Sequence, residues 1–276
     1  MPLASIPEPT SGLWHFGPVT IRAFAVCIVL AILLAGTVAS RRYGTRKVIW
    51  DVAAWAIPFG LLGAAAHALL VATRHDFRHH QWAYHAIGNV LSAIGVPGAI
   101  ALGLAGAWIA CRRAGVPLGP VAGAAAPGVA LGLAVGGLGH WWTQDFYGRP
   151  ASWWLAERIE PQHRVAGFET HATFQPAFLY QSIWDALVAV GLIWAVKRYA
   201  LPGAATFLLG AAGYAAGSLW VAAIRIGPQL RVFGVPYDVA ADLVVLVVSA
   251  VAFCLLVRNR SKPRLATQQA PHVISR

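Results

Sequence analysis

The chain has 276 residues, of which 58% are hydrophobic and only 11% are charged, and its formal net charge is +11. An average soluble domain carries about 25% charged residues, so this composition excludes an ordinary soluble protein. The sequence offers no soluble domain with a basic face, and a nucleic-acid partner is therefore not predicted. The excess positive charge instead indicates contact with anionic lipid headgroups.

Seven apolar runs predict membrane-crossing helices, because about 20 apolar residues are needed to cross a hydrocarbon core of ~30 Å. The runs lack the apolar–polar alternation of a barrel strand. The predicted fold is therefore an all-α polytopic membrane protein with a bundle of about seven transmembrane helices. The runs lie near residues 19–39, 51–73, 90–111, 118–138, 176–196, 202–224 and 239–257.

Basic clusters follow the first, third, fifth and seventh runs. By the positive-inside rule these ends are cytoplasmic, which places the N-terminus outside and the C-terminus in the cytoplasm. We expect residues 1–258 to form one transmembrane domain and the polar, basic segment 259–276 to be a disordered cytoplasmic tail. The clusters are Arg41, Arg42, Arg46 and Lys47; Arg112 and Arg113; Lys197 and Arg198; and Arg258, Arg260, Lys262 and Arg264.

The longest loop on the opposite side covers about residues 140–175. Its four tryptophans, at 141, 142, 153 and 154, are typical of an interfacial aromatic belt. Arg149 in this loop and Arg225 at the end of the sixth run could hold a lipid phosphate through bidentate hydrogen bonds. The alternative is that each is an ordinary snorkelling or loop arginine.

A second loop on that side, residues 74–85, reads RHDFRHHQWAYH. Its histidines could bind a metal if the loop were helical, because His75 and His79 would share a face. The loop has no cysteine and no second cluster at ligand spacing. We therefore predict a solvated or headgroup-contacting loop, and neither a metal nor another cofactor.

The start of the fifth run is polar. Gln175, Tyr180, Gln181 and Ser182 lie there, and Asp185 follows inside the run. An acid within a membrane span is costly and is a functional candidate, and polar groups in lipid need partners. We predict a buried polar network at this helix start.

Six motifs resemble, in the same order, the prolipoprotein diacylglyceryl transferase family and specifically its actinobacterial branch. The resemblance covers about residues 15–250. The clearest motif is APGVALGLAVGGLGHWWTQDFYGRP (126–150), which is similar to the family signature APGLLLAQAIGRWGNYFNQELYGRP. The others are IRAFAVCI (21–28), PFGLLGA (58–64), GAIALGLAGAWIACRRAGV (98–116), ATFQPAFLYQSIWD (172–185) and GYAAGSLWVAAIRI (213–226).

The resemblance implies transfer of a diacylglyceryl group from phosphatidylglycerol to the thiol of a lipobox cysteine, with release of glycerol phosphate. The expected partners are phosphatidylglycerol or another anionic phospholipid, the signal segment of a preprolipoprotein, and the bilayer itself. The expected location is the bacterial inner membrane, crossed several times, with the active-site side facing outward. Such chemistry needs a cation near the phosphate leaving group and help in deprotonating a thiol with a pKa of about 8.5.

Three arginine positions of the family are Ala65, Gly137 and Ser218 in this chain. His140 stands where the family has asparagine, and it is a candidate base because the ordinary imidazole pKa of about 6.5 suits that role. Arg149 or Arg225 would then supply the cation. The alternative function is a catalytically inactive paralogue that binds lipid or lipoprotein signal segments. The candidate catalytic residues are His140, Asp145 and Tyr180, and the candidate lipid- or phosphate-binding residues are Arg149, Arg225, Tyr147 and Gln144.

Overall fold

A computed structural model describes residues 5–9, 12–17, 19–75, 96–227, 231–232 and 234–260. Within these ranges the chain forms a bundle of seven long helices and one single-turn helix. The helices are α1 (Ala23–Tyr43), α2 (Arg46–His75), α3 (Val96–Arg113), α4 (Leu118–Gly137), the single turn α5 (His140–Thr143), α6 (Ala177–Tyr199), α7 (Gly203–Ile224) and α8 (Tyr237–Arg260).

Six helical segments are long and apolar enough to cross a membrane, which confirms the predicted class of all-helical, polytopic membrane protein. The predicted count of seven is not reached in the described part of the chain, because the third run, 90–111, begins outside it and appears only as α3. Helix α8 continues past the predicted domain boundary at 258, and residues 261–276 lie outside the described part. The six segments are Ala23–Tyr43, Arg46–Ala66, Leu118–Thr143, Ala177–Tyr199, Gly203–Ile224 and Tyr237–Arg258.

Helix α4 forms the centre of the bundle. Half of its membrane-crossing segment is buried, against 6% for α8, and it packs against α1, α6 and α7. Glycines make this close packing possible: a Cβ atom at Gly128 would lie 2.5 Å from the carbonyl oxygen of Ala35, and one at Gly123 would lie 2.2 Å from Cα of Gly203. Small residues at helix contacts let backbones approach, and this approach is a main source of helix association in lipid.

Three short antiparallel strand pairs lie at the end of the bundle opposite the basic clusters. The pairs are β1 (Leu13–Phe16) with β2 (Val19–Arg22), β3 (Glu157–Arg158) with β4 (Thr173–Phe174), and β5 (Arg231–Val232) with β6 (Val235–Pro236). The segment 144–176, which contains β3 and β4, is called the cap below. It covers the bundle between the end of α4 and the start of α6.

The N-terminal segment 5–9 is bound to the cap and to α5. The backbone N–H of Ile6 donates to Ala156, and the N–H of Arg158 donates back to Ile6. The Arg158 guanidinium lies 3.0 Å from the carboxylate of Glu8. The indole N–H of Trp141 donates to the carbonyl of Pro7 over 3.1 Å.

We expect Gly128→Ala to destabilise the chain by about 1–3 kcal/mol, because the new methyl group meets a backbone carbonyl that cannot rotate away. Gly191→Ala on α6 is the matched control, since a Cβ there meets nothing within 4 Å and alanine favours the helix. The measurement is the thermal unfolding temperature of the purified protein in detergent. Equal effects of the two substitutions would contradict close packing at α4.

Candidate functional site

His140 and Asp145 form a hydrogen-bonded pair at the end of α4. His140 is the first residue of α5. Gln144, the residue that directly follows α5, has a left-handed conformation (φ 50°) that reverses the direction of the chain. Nδ1 of His140 lies 2.8 Å from Oδ1 of Asp145, and the Thr143 hydroxyl donates to the same oxygen. An ionised carboxylate can only accept hydrogen bonds, so Nδ1 carries a proton, and in the neutral imidazole Nε2 then offers a lone pair.

The surroundings of this pair keep Asp145 ionised and the imidazole in place. Burial opposes ionisation of the carboxyl, but the hydrogen bond and charge of His140, with the Thr143 hydroxyl, hold the pKa of Asp145 below its ordinary value. The His140 ring contacts Phe24 and Phe146, with ring centres 5.2 and 5.1 Å away. The His140 side chain is 17% exposed, so a substrate can still reach it.

Arg225 also contacts the Phe146 ring. Its guanidinium carbon is 4.9 Å from the centre of that ring. One nitrogen of the guanidinium is 3.4 Å from the carboxylate of Asp238, at the start of α8. His140, a potential base, and Arg225, a potential binder of phosphate, therefore contact the same aromatic ring.

Arg149 is held close to the same place by the backbone. Gly148 pairs with Arg225 in an antiparallel bridge, and the backbone N–H of Arg149 donates to Ile224 over 3.1 Å. The Arg149 side chain is exposed, and its guanidinium donates to the carbonyl of Ala223. The structure thus brings both predicted phosphate-binding arginines to the end of α7.

The side chains of Gln144 and Tyr147 form hydrogen bonds inside the protein. The side-chain oxygen of Gln144 accepts from the N–H of Glu160 and from Nδ1 of His163, each over 3.0 Å. The Tyr147 hydroxyl donates to the carbonyl of His163 and accepts from the N–H of Val165. Both residues are 2% exposed, so they hold the cap in place, and their predicted contact with lipid stays a prediction.

Tyr180 lies at the polar start of α6 and stacks on Trp220 of α7, with ring centres 5.9 Å apart. No hydrogen bond within the described part of the chain joins it to the imidazole–carboxylate pair, and its catalytic role stays a prediction. Next to it, Gln181 donates to the buried carboxylate of Asp185 over 3.0 Å. Of the predicted polar network at this helix start, the described residues show this one hydrogen bond.

Neighbouring side chains surround two of the positions where the family has arginine. A Cβ atom at Gly137 would lie 2.7 Å from the hydroxyl of Ser182, which is itself buried and unpartnered among the described residues. The Ser218 hydroxyl interacts with Asp242 and Tyr214. Because neither of these two positions carries an arginine, the positive charge near the imidazole–carboxylate pair comes instead from the arginines at the end of α7 and in the cap.

Of the histidine-rich loop, residues 74–85, the structure describes only the first two residues. His75 ends α2, and residues 76–95 lie outside the described part of the chain. Within the described ranges, no three His, Cys, Asp or Glu side chains are grouped to hold a metal ion.

Sequence reasoning missed Glu157. It is 1% exposed, and neither carboxyl oxygen has a hydrogen-bond partner in the described part of the chain. Its backbone pairs with Phe174 on one side and with Ile6 on the other. Burial, followed by the negative charge of Asp145, raises the pKa of Glu157 to about 8, so this carboxyl is protonated at neutral pH. A single glutamate in an aromatic loop carries no motif that could have signalled this.

The sequence matches the prolipoprotein diacylglyceryl transferase family over residues 11–258. The chain belongs to this family. Phosphatidylglycerol–prolipoprotein diacylglyceryl transferase 2 of Streptomyces coelicolor is 38% identical over 267 residues, covering 95% of this chain and 84% of the relative. The transferases of Streptomyces griseus (94% and 80% covered) and Frankia alni (98% and 72% covered) are each 36% identical. The predicted family is confirmed, and no finding favours the alternative of an inactive paralogue.

Glu157→Gln should stabilise the protein, increasingly so as the pH rises. Folding raises the pKa of Glu157 from 4.5 to about 8, so between these values the folded chain must bind a proton that the unfolded chain has released. The free-energy cost of binding this proton is absent below the pKa that Glu157 has in the unfolded chain. It grows with pH up to the pKa that Glu157 has in the folded chain. At about 1.4 kcal/mol per pKa unit, the difference in unfolding free energy between the variant and the wild type reaches a few kcal/mol. The measurement is the unfolding temperature of both proteins between pH 5 and pH 8.

Glu169→Gln is the control for this series. Glu169 is an exposed carboxyl of the same cap, and a hydrogen bond from the N–H of Gly167 lowers its pKa. A lowered pKa affects stability only as the pH falls toward it, so no growing difference is expected between pH 5 and pH 8. If the Glu157→Gln difference stays constant over this range, the carboxyl is not held protonated.

Proposed function

We propose that this chain transfers the diacylglyceryl group of phosphatidylglycerol, or of another anionic phospholipid, to the cysteine thiol of a prolipoprotein. Family membership and the names of the relatives support the class of reaction. The observation that carries the proposal is the contact of both His140 and Arg225 with the Phe146 ring. Thiol transfer needs a base, and departure of a phosphate ester needs a cation, at one site.

The step is a displacement at the glyceryl carbon that bears the phosphate ester oxygen. Nε2 of His140 takes the proton of the thiol, while the Asp145 carboxylate keeps the imidazole oriented and offsets the charge that it gains. The thiolate sulfur then forms a C–S bond to that carbon. The C–O bond breaks, glycerol phosphate leaves with the electron pair, and His140 returns its proton to the phosphate or to water.

The two arginines stabilise the leaving phosphate in this proposal. A cation placed in advance where negative charge develops contributes about 10²–10³ in rate. Arg225 contacts Asp238 in the structure, and a phosphate would compete with that ion pair for the guanidinium. Arg149, which is exposed beside it, can contact the same phosphate from the cap.

The cap has a positioning role in the same proposal. Gln144 and Tyr147 hold the 160–165 segment through the hydrogen bonds described above. Gln144 and Tyr147 lie on either side of Asp145 in the sequence, so these hydrogen bonds help to fix where Asp145 meets His140. Tyr180 borders the site from α6 and is retained as a candidate contact for substrate.

We further infer that the protein spans the bacterial inner membrane with this site facing outward and the C-terminus in the cytoplasm. Basic residues end α1 and α6 at the end of the bundle opposite His140, as the positive-inside rule requires of a cytoplasmic end. On the cap, Trp153 and Trp154 are 39% and 63% exposed. Exposed tryptophans of this kind are typical of a membrane–water interface.

The test is to express this chain in a strain depleted of its own transferase and to follow a tagged prolipoprotein by gel shift and mass spectrometry. We expect the wild-type chain to add a diacylglyceryl group and His140→Ala to be slower by about 10²–10⁴. His171→Ala is the matched control, because His171 is an exposed histidine of the cap, and it should retain activity.

Two outcomes would count against the proposal. If the wild-type chain is inserted but inert, while an active family member modifies the same prolipoprotein, the chain is a lipid- or signal-binding paralogue. If His140→Ala and His171→Ala are equally active, another group takes the proton and the assigned mechanism is wrong. Membrane fractionation of every variant separates both outcomes from loss of the protein.

A further inference from the structure

Residues 5–9 extend along β3 of the cap, and this segment is called the strap below. Glu157 on β3 pairs with Phe174 of β4 in an antiparallel register and with Ile6 of the strap in a parallel bridge. β3 therefore lies between two neighbours, one of which is the strap, a segment distant from it in the sequence. The side chains of β3 are covered on both sides only while the strap is in place.

The Glu157 carboxyl lies on the inner, apolar face of this arrangement. Successive side chains of a strand point to opposite faces, and Arg158, the next residue, is on the outer face with its side chain 58% exposed. Glu157 itself is 1% exposed. Directly paired residues and residues two apart share a face, so its neighbours there are Phe174 and Ile159, two members of one buried apolar cluster.

The groups around this carboxyl do not compensate a negative charge. Neither carboxyl oxygen has a hydrogen-bond partner among the described residues, and the nearby charge of Asp145 opposes ionisation. The arginines of the cap segment next to β3 are held elsewhere: Arg158 by the strap's Glu8, and Arg164 by backbone carbonyls. β4 brings no titratable side chain. The other titratable groups on the elements packed against β3 are Tyr147, Glu160 and His163.

The closed strap and the proton on Glu157 therefore depend on each other. A carboxyl buried without a partner is kept neutral, because an unpaired buried carboxylate is far more costly. Once water reaches the carboxyl, its pKa returns from about 8 to the ordinary value of 4.5, so opening releases a proton between these values. The closed form binds more protons, is favoured at low pH and loses stability as the pH rises. The equilibrium constant for opening increases about tenfold per pH unit in this window.

The strap is held by contacts that can be lost without unfolding the bundle. Its backbone hydrogen bonds join Ile6 to Ala156 over 2.8 Å and to Arg158 over 3.1 Å. The ion pair of Glu8 with Arg158 is exposed, and exposed ion pairs contribute little to stability. The carbonyl of Pro7 accepts from the Trp141 indole. Segments with few buried apolar contacts open locally at a much lower free energy than the whole protein.

We propose that Glu157 operates a pH-sensitive latch: loss of its proton releases the strap from β3 and opens the outer edge of the cap. The release exposes the carbonyl of Ala156 and the N–H of Arg158, which the strap covers in the closed form. The strap contacts the cap and α5, so the long helices stay packed when it leaves. The latch is separate from the proposed transfer reaction and does not depend on it.

The test is hydrogen exchange, followed by mass spectrometry, on the purified full-length chain between pH 5.5 and pH 7.5. The probes are the backbone N–H groups of Ile6 and Arg158, which join the strap to β3. Dividing each rate by that of the same N–H in the unfolded chain removes the intrinsic pH dependence of exchange. We expect the protection of both groups to fall about tenfold per pH unit. It should stay below the protection of the buried centre of α4 at every pH, because the strap opens without the bundle.

Glu157→Gln removes the titrating proton and keeps the size of the side chain, so the protection of Ile6 and Arg158 should no longer change with pH. Glu157→Met, which is apolar and of similar length, should give the same flat profile and is the second variant in case the first does not fold. The matched control is Glu169→Gln, at an exposed carboxyl of the cap, and it should keep the wild-type slope.

Three results would overturn the proposal. A flat profile in the wild-type chain means that opening of the strap releases no proton. Equal slopes in the wild-type chain and in Glu157→Gln mean that another group titrates. Protection of Ile6 equal to that of the centre of α4 means that the strap opens only when the whole protein unfolds.

Discussion

The rest of this structure depends on the backbone contact that α4 makes with its neighbours. Glycine at 123 and 128 allows the backbone of α4 to touch those of α7 and α1, and any side chain there would push the helices apart. Such contacts fix the height and rotation of α4 in the bundle. His140 comes immediately after α4, so the glycine face also determines where the imidazole stands relative to α7 and Arg225. A small-residue contact inside the bundle thus sets the position of the candidate site at its end.

Most of the helices and the family could be predicted from the sequence, for physical reasons. A single span of about 20 apolar residues must form a helix in lipid, because only a helix satisfies all of its own backbone hydrogen bonds there. The collinear motifs around 126–150 and 213–226 identified the family independently of any structure. The third run is described only from Val96, and six of the seven predicted runs contain a helical segment long and apolar enough to cross a membrane.

The partners of individual side chains could not be predicted in this way. Gln144 and Tyr147 belong to a signature, but their hydrogen bonds run to residues 160–165, in a segment with no periodic pattern. Glu157 is buried because β3 pairs with a short strand next to α6 and with the distant segment at Ile6. Contacts of this kind depend on loop closure, which neither hydropathy nor spacing records. Arg225 was identified as a candidate, whereas its ion pair with Asp238 and its ring contact needed the fold.

The attachment of residues 5–9 to the cap has a consequence for the order of assembly. Ile6 is hydrogen-bonded to Ala156 and Arg158, which are separated from it by three of the membrane-crossing segments in this structure. During synthesis residues 5–9 must therefore wait for these three segments before they can meet their partners in the cap. Contacts that join distant parts of a chain form late in folding. Residues 5–9 thus attach to the cap only late in folding, after the helices that lie between them in the sequence have formed.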